Sequence, residues 1–252
     1  MELFNRFFED GGSFEMLSRA GHILSGITWI GLLYFFNFVQ TPAFAQLSDG
    51  ARGEALRKIT FRALWWFRWA AAATFIFGLL IVSVKDMSGD NSYFSGRLGT
   101  AILTGMLFGT TMFLNVWGVI WRAQKVIIGS SQSVADGGEA DPRATPELAK
   151  KAARASRTNT FFSIVMLFFM VFAAHGGGFW GAEGTTMGGT LVYWVFVLVL
   201  FAFVELSGLG LVGGLDSAFN KLVFDSHKNT IIYGFVYLAI IYFVGWEALL
   251  PA

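Results

Sequence analysis

Six long apolar stretches constrain the fold more than any other feature of the sequence. They lie near residues 19–41, 62–84, 98–121, 159–175, 190–212 and 229–249. A helix needs about 20 apolar residues to cross the hydrocarbon core of a bilayer, and no stretch shows the alternation typical of a membrane β-barrel. Only 14% of the residues are charged, against about 25% in soluble domains. The sequence therefore predicts an all-α integral membrane protein, a single domain of residues 1–252 containing a bundle of about six transmembrane helices.

The distribution of basic residues predicts the orientation of the bundle. If six spans alternate in direction, Arg6, Arg19, Lys85 and Arg97 lie on one side, and the other 14 of the 18 Lys and Arg residues lie on the opposite side. The positive-inside rule places the side with 14 basic residues in the cytoplasm, so both termini are expected to be periplasmic. The net charge of +1 gives no basis for nucleic-acid binding.

Three segments outside the apolar stretches have their own predicted roles. Residues 1–18 are expected to form an interfacial N-terminal segment, and 213–228 an interfacial helix. Residues 122–158 are expected to form a cytoplasmic loop that begins with a flexible, Ser/Gly/Asp-rich part. In that loop Thr145, Pro146 and Glu147 have the pattern of an N-cap, a proline at the first position and an acidic first turn. They predict a basic helix that could continue into the fourth apolar stretch.

The positions of the three histidines indicate a cofactor site. His22 begins the first stretch and His175 ends the fourth, so the two lie on one side of the membrane at similar depth, whereas His227 lies on the opposite side. Two imidazoles from different helices at one depth fit the bis-histidine ligation of a b-type haem. Because the chain has no cysteine, such a haem would be bound non-covalently.

The neighbours of the two histidines support this interpretation. Gly26 lies one turn beyond His22 on the same helix face, where the missing side chain would let a flat macrocycle approach. Arg19 and Arg97 are candidates to pair with haem propionates. Two alternatives stay open at this stage: the histidines are ordinary interior residues, or they bind another metal with a third ligand such as Glu183. His227 is expected to be an ordinary interfacial histidine.

A second polar layer is predicted in the cytoplasmic half, where Arg68, Asn115 and Glu205 are the candidates for a catalytic role. Glu205 is expected to need a counter-ion, for which Arg68 or Arg62 is available. The layer could simply hold the helices together through ion pairs and hydrogen bonds. It could also bind a polar heterocycle or a quinone headgroup. The other members are Asn37, Gln40, Asn159 and Ser163, with Trp65, Trp66 and Trp117 as candidate walls of a pocket.

Four blocks in order along the chain resemble one known family. They are HILSGITWIGLLYFFNF (22–38), ALWWFRWAAAATFIFGLL (63–80), NVWGVIWRAQK (115–125) and SRTNTFFSIVMLFFMVFAAH (156–175). Together they resemble the membrane domain of bacterial membrane-bound urate hydroxylases, the urate oxidase N-terminal domain family.

The resemblance implies a multi-helix domain of the bacterial inner membrane that is followed by a cytochrome c domain. It also implies oxidation of urate to 5-hydroxyisourate, with electrons passing to the cytochrome, and it carries the histidines of the family's first and fourth blocks onto His22 and His175. The present sequence contains no CxxCH motif, so it is expected to be a short form that lacks the cytochrome c domain.

Three functions are compatible with these patterns. The first is a haem b redox protein that oxidises a small, urate-like substrate or relays electrons to a separate cytochrome c. The second is a non-catalytic integral subunit of a larger respiratory or oxygenase complex. The third is a transporter or channel for an organic anion, which ranks last because the sequence contains no repeat or pair of broken helices. The lipid bilayer is the one partner that all three share.

Overall fold

The computed structural model describes residues 12–87, 96–176 and 185–250, together with Phe7 and Phe94; for residues 85–87 it describes the backbone alone. Most of these residues are helical, and none of them lies in a strand. Six helices are long and apolar enough to cross a membrane, and they are numbered here as the first to the sixth span: Ser13–Phe44, Asp49–Val84, Arg97–Ala135, Pro146–His175, Met187–Gly208 and His227–Leu249. The prediction of an all-α, multi-pass membrane protein with six spans is confirmed.

Contacts between the ends of the spans show that neighbouring spans run in opposite directions. Thr60 Oγ1, near the start of the second span, donates a hydrogen bond to Gln40 Oε1, near the end of the first. Arg57 Nη1 in the second span donates to Ser131 Oγ near the end of the third. The bundle therefore has two ends. The His22 end contains the start of the first span, and the basic end contains the start of the second. Which membrane face each end meets stays a prediction.

The start of the fourth span has the local structure that the sequence predicts. Thr145 Oγ1 accepts a hydrogen bond from the Leu148 amide at 3.2 Å, and Pro146 occupies the first turn. The helix then continues without a break to His175, as expected for a basic helix that joins the fourth apolar stretch.

The third span extends much further than its apolar stretch. It ends at Ala135, where Gly137 adopts a positive φ of 84° and the Gly138 amide donates to the Ser133 carbonyl. Glycine adopts this left-handed conformation without a steric penalty and commonly ends helices in this way. Much of the first part of the segment 122–158 is therefore helix, and the connection is confined to residues 136–145. A further helix, Ala218–Phe224, is capped by Ser217 and lies within the predicted segment 213–228.

The fourth span is the centre of the bundle. Of its most apolar window, 56% is buried, against 17–33% in the other five spans. It packs mainly against the third and sixth spans, whereas the first span packs mainly against the second. Glycines allow the close approach: a Cβ at Gly208 would lie 2.1 Å from Thr158 Oγ1, and a Cβ at Gly234 would lie 2.5 Å from Ile164 Cδ1. Small residues at crossing points are typical of helix packing in membranes.

Four π-helical segments interrupt the regular α-helical hydrogen bonding of the spans. Three of them lie toward the basic end: Phe35–Gln40, Leu56–Thr60 and Val116–Ile120. The fourth, Ile240–Leu249, forms the end of the sixth span. Such segments occur often at functional sites. One of them contains Asn37 and another directly follows Asn115, so two members of the predicted polar layer lie at these irregularities.

Candidate functional site

His22 lies between the first and second spans and has a backbone partner. Its Nδ1 is 2.8 Å from the Thr74 carbonyl oxygen. Because a carbonyl can only accept a hydrogen bond, Nδ1 carries the proton and Nε2 carries the lone pair. Metal-binding histidines are commonly oriented in this way, with one ring nitrogen donating to a carbonyl and the other left for the metal. The second span therefore holds the His22 ring in the tautomer that a metal ligand requires.

Small residues on both helices create this arrangement. A Cβ at Gly78 would lie 3.2 Å from His22 Cε1, so the ring occupies the space that the missing side chain leaves. A Cβ at Gly21 would lie 2.6 Å from the Phe77 ring. Thr74 Oγ1 donates to Ser25 Oγ at 3.0 Å. The first span thus presents Gly21 and Ser25 to the second span, which presents Thr74 and Gly78. In each pair the two residues are four positions apart and lie on one helix face.

Gly26 faces the second span as well. A Cβ at this position would lie 3.8 Å from Thr74 Cγ2, which is an ordinary van der Waals contact. The second span therefore covers this face of the first at Gly26, and a role of Gly26 in binding a haem stays a prediction.

His175 is the last residue of the fourth span and is exposed. Its level in the bundle can be compared with that of His22 through the hydrogen bond between Tyr34 Oη and Ser163 Oγ. His22 lies twelve residues before Tyr34 and His175 twelve residues after Ser163, about 18 Å along each helix. By this count the two histidines lie at a similar level, and their pairing stays a prediction. No hydrogen bond or ring contact joins them, and the His22 ring is directed at the second span.

Arg97 lies at the same end, buried at the start of the third span. Its guanidinium carbon is 5.3 Å from the centre of the Trp246 ring. Arg97 Nε and Trp246 Nε1 are both buried, and neither has a hydrogen-bond acceptor. Buried donors in native proteins nearly always have an acceptor, and the described residues supply none for these two. Arg19, the other candidate, already pairs with the Glu15 carboxylate at 2.6 Å.

The predicted polar layer forms a connected group around the fourth span. Asn159 Nδ2 donates to the Met112 carbonyl, which fixes the orientation of the Asn159 amide. Asn115 Nδ2 then donates both to Asn159 Oδ1 at 3.0 Å and to Glu205 Oε2 at 3.2 Å. The third, fourth and fifth spans each contribute one residue to this buried triad of Asn115, Asn159 and Glu205. Asn37, which bonds to Ser156 Oγ, belongs to the same layer.

The prediction that Arg68 or Arg62 is the counter-ion of Glu205 is wrong. Arg62 is exposed, and no ion pair joins it to Glu205. Arg68 forms no ion pair with Glu205; its guanidinium carbon lies 3.7 Å from the centre of the Trp121 ring and 5.6 Å from that of Trp117. Aromatic faces attract a guanidinium strongly, and three tryptophans surround this one. The two candidate wall residues Trp65 and Trp66 are exposed on the outer surface, so they do not enclose the triad.

The remaining metal and histidine predictions have simple outcomes. Within the ranges that the structure describes, no group of three His, Cys, Asp or Glu residues could hold a metal ion. Glu183, the suggested third ligand, lies outside those ranges. His227 begins the sixth span at the basic end, with its ring 6.2 Å from that of Phe38.

Thr74 and Gly78 are the site residues that sequence reasoning missed. A backbone carbonyl acceptor leaves no direct mark in a sequence. The pairs of small residues spaced four apart, Gly21 with Ser25 and Thr74 with Gly78, were the available signal, because this spacing marks close helix packing in membranes. They would have indicated that His22 faces the second span.

Comparison with known proteins gives one match. The family described as urate oxidase N-terminal matches residues 86–205. This segment includes Arg97, Asn115, Asn159, His175 and Glu205, and it covers the third and fourth of the four blocks quoted above. The first two spans, and with them His22 and Thr74, lie outside it. No curated protein and no solved structure matches the chain. The predicted resemblance is confirmed over the matched segment.

Proposed function

Because residues 86–205 match the urate oxidase N-terminal family, we propose that this chain is a membrane-embedded redox protein that binds one b-type haem. His22 and His175 are the residues that would hold its iron. The haem supplies one-electron chemistry, since iron with two imidazole ligands cycles between the ferric and ferrous states. The protein uses it to oxidise a small, urate-like substrate or to relay electrons to a separate cytochrome c.

The observation that carries this proposal is the hydrogen bond from His22 to the Thr74 carbonyl. A histidine that only stabilised the bundle could use either ring nitrogen and either tautomer. Here the donor is Nδ1, and the ring occupies the space left by the missing side chain of Gly78. Nε2 has no partner among the residues that the structure describes. An imidazole in the interior of a membrane is unfavourable unless it has a role, and an oriented ring with a free Nε2 fits the role of an iron ligand.

The other residues at the His22 end fit the same cofactor. The exposed His175 lies at the level of His22 and has no partner among the described residues. Arg97 Nε and Trp246 Nε1 are buried at this end and have no acceptor among the described residues, and a haem propionate is an acceptor that suits a guanidinium. Arg97 would therefore bind a haem propionate, and His22 and His175 would hold the iron.

The buried triad is the candidate site for the substrate. Its donors and acceptors are in a fixed order that ends on Glu205 Oε2. A purine-like heterocycle carries both N–H donors and carbonyl acceptors, and so does a quinol headgroup. Glu205 would accept from such a donor. Both amide hydrogens of Asn115 are bonded to Asn159 and Glu205, so Asn115 would orient the Glu205 carboxylate toward the substrate, and Arg68 stays outside its contact.

The test is a reduced-minus-oxidised absorption spectrum of the purified protein and of three single variants. The wild-type protein should give a haem b spectrum, and His22→Ala should lose it. His175→Ala should lose it or change from a low-spin to a high-spin spectrum, because the second ligand is absent. His227→Ala is the matched control and should resemble the wild type. A haem spectrum that survives unchanged in both His22→Ala and His175→Ala would overturn the proposal.

A further inference from the structure

The fourth span carries a second buried cation that the proposed function does not use. Arg157 is 8% exposed, and its Nη1 is buried without any hydrogen-bond partner. No ion pair reaches its guanidinium from any residue that the structure describes. A buried charge without a partner is strongly unfavourable, so a group at this position must compensate it.

The carboxylate near Arg157, that of Asp225, already forms an ion pair with another arginine. Arg154, one turn before Arg157, forms an ion pair with Asp225 and also donates to the carbonyls of Leu215 and Asn220. Arg154 and Asp225 are the charged groups that act on Arg157, one repelling it and the other attracting it. Two arginines therefore share one carboxylate, and the cluster is short of one negative charge.

The start of the sixth span follows Asp225 closely in the chain. This span begins at His227, two residues after Asp225, and its N-cap residue Ser226 makes no side-chain capping bond. The first amides of a helix have no partner within the helix, and they favour an anion. Side chains cap the starts of the second, fourth and fifth spans, whereas the first and third spans begin after glycines that make no such bond.

We propose that Arg157 and the start of the sixth span form an anion site at the basic end, and that its ligand is a phosphate group. A guanidinium binds phosphate through two parallel hydrogen bonds, and helix amides add further donors. Arg157 lies two residues before the predicted apolar stretch 159–175, which places it near the depth of lipid headgroups. The phosphate can belong to an anionic phospholipid or to a soluble phosphate compound. This site is independent of the haem proposal.

The experiment is a thermal-shift titration of the full-length protein in a neutral detergent. The probes are phosphatidylglycerol, phosphatidylcholine and inorganic phosphate, with chloride at equal ionic strength as the salt control. At least one anionic probe should raise the melting temperature. A response to phosphatidylglycerol alone identifies a lipid headgroup as the source, and a response to inorganic phosphate identifies a soluble one. Phosphatidylcholine and chloride should have no comparable effect.

Three variants make the titration specific. Arg157→Gln should weaken the apparent Kd at least about tenfold, because it removes charge-assisted hydrogen bonds. Arg157→Lys should give an intermediate value, since it keeps the charge and loses the planar fork. Arg122→Gln, which alters an exposed arginine at the same end, should behave like the wild type. The haem spectrum of Arg157→Gln should be unchanged, which separates this site from the proposed function.

The opposite results would overturn the proposal. If the wild-type protein responds to neither anionic probe, no anion site exists at this end. If Arg157→Gln and Arg157→Lys respond as the wild type does, the anion binds elsewhere. Should Arg157→Gln fail to fold, the wild-type and Arg157→Lys titrations still decide between these outcomes.

Discussion

His22 and Glu205 are both ionisable residues inside spans, but the bundle treats them differently. His22 forms one hydrogen bond, to a backbone carbonyl, and its second ring nitrogen has no partner among the described residues. Glu205 lies at the end of a series of amide hydrogen bonds whose direction is set by the Met112 carbonyl. The first arrangement leaves one ring nitrogen unused, whereas the second joins three helices. The role of a polar residue inside a membrane is thus better inferred from the side-chain atoms that lack a hydrogen-bond partner than from how deeply the residue is buried.

The largest loss of stability should follow from removing the central hydrogen-bond donor of the triad. Asn115→Ala removes the donor shared by Asn159 Oδ1 and Glu205 Oε2, and it leaves a buried carboxylate without its bond. We expect a loss of about 3 kcal/mol in the free energy of unfolding, since bonds to charged groups are worth about 1.5–3 kcal/mol each. Chemical denaturation in detergent measures this loss. Gln132→Ala, which removes an exposed hydrogen bond to Asp136, is the control and should change stability by no more than about 0.5 kcal/mol.

Equal stability of Asn115→Ala and Gln132→Ala would contradict the structural role of the triad. Glu205→Gln separates that role from the proposed substrate role. This variant should keep most of the stability, because an amide oxygen can still accept the bond from Asn115. It should lose substrate turnover if the carboxylate contacts the substrate.

A smaller effect should distinguish two glycines that flank His22. Gly78→Ala places a methyl group 3.2 Å from His22 Cε1 and 3.3 Å from Nδ1, so the ring must move by a few tenths of an ångström. Gly26→Ala meets only Thr74 Cγ2 at 3.8 Å. Both substitutions gain a similar amount of helix propensity, about 0.5–1 kcal/mol, which cancels in the comparison. Gly78→Ala should therefore stretch the bond to Thr74, costing about 1 kcal/mol relative to Gly26→Ala.

The readout for this pair is the reduction potential of the haem-loaded protein together with its melting temperature. Gly78→Ala should shift both, and Gly26→Ala should leave the potential unchanged. If the two variants behave alike, the contact between Gly78 and the His22 ring has no part in orienting the ligand, and the contrast between His22 and Glu205 loses its basis.

The features that could be predicted from the sequence are those that depend on residues close together in the chain. The six spans, the Thr145 cap and the shared level of His22 and His175 depend on hydropathy, nearby side chains and alternating direction, and all were predictable. The partners of His22 and Glu205 depend on how each helix is rotated about its own axis. The hydropathy pattern gives depth but not rotation. Asn115 is therefore placed in the polar layer but not identified as the partner of Glu205, and the Thr74 carbonyl is not identified as the partner of His22.

Arg68 illustrates a second limit. Its charge and depth made it the natural counter-ion for Glu205. However, its long side chain reaches the rings of Trp69, Trp117 and Trp121, and aromatic faces compete with a carboxylate for a guanidinium. Such competition is decided by packing between the second and third spans, which the sequence does not specify residue by residue.

The smallest effect concerns a carboxylate outside the spans, which serves as a reference for Glu205. Asp141 lies in the connection 136–145, where hydrogen bonds from the Arg143 side chain and amide lower its pKa to about 2. Because the folded pKa lies below the ordinary value of 3.8, any stabilisation from this pair is present above pH 3.8 and is lost as the pH falls toward 2. Arg143→Ala should raise the pKa of Asp141 toward 3.8, which carbon-13 NMR of labelled aspartate would measure, and stability near pH 7 should hardly change.

A large loss of stability at pH 7 would mean that solvated ion pairs matter more here than the buried amide network. The contrast with Asn115→Ala would then fail, since solvent screens an exposed pair but cannot replace the bond that Glu205 receives inside the bundle.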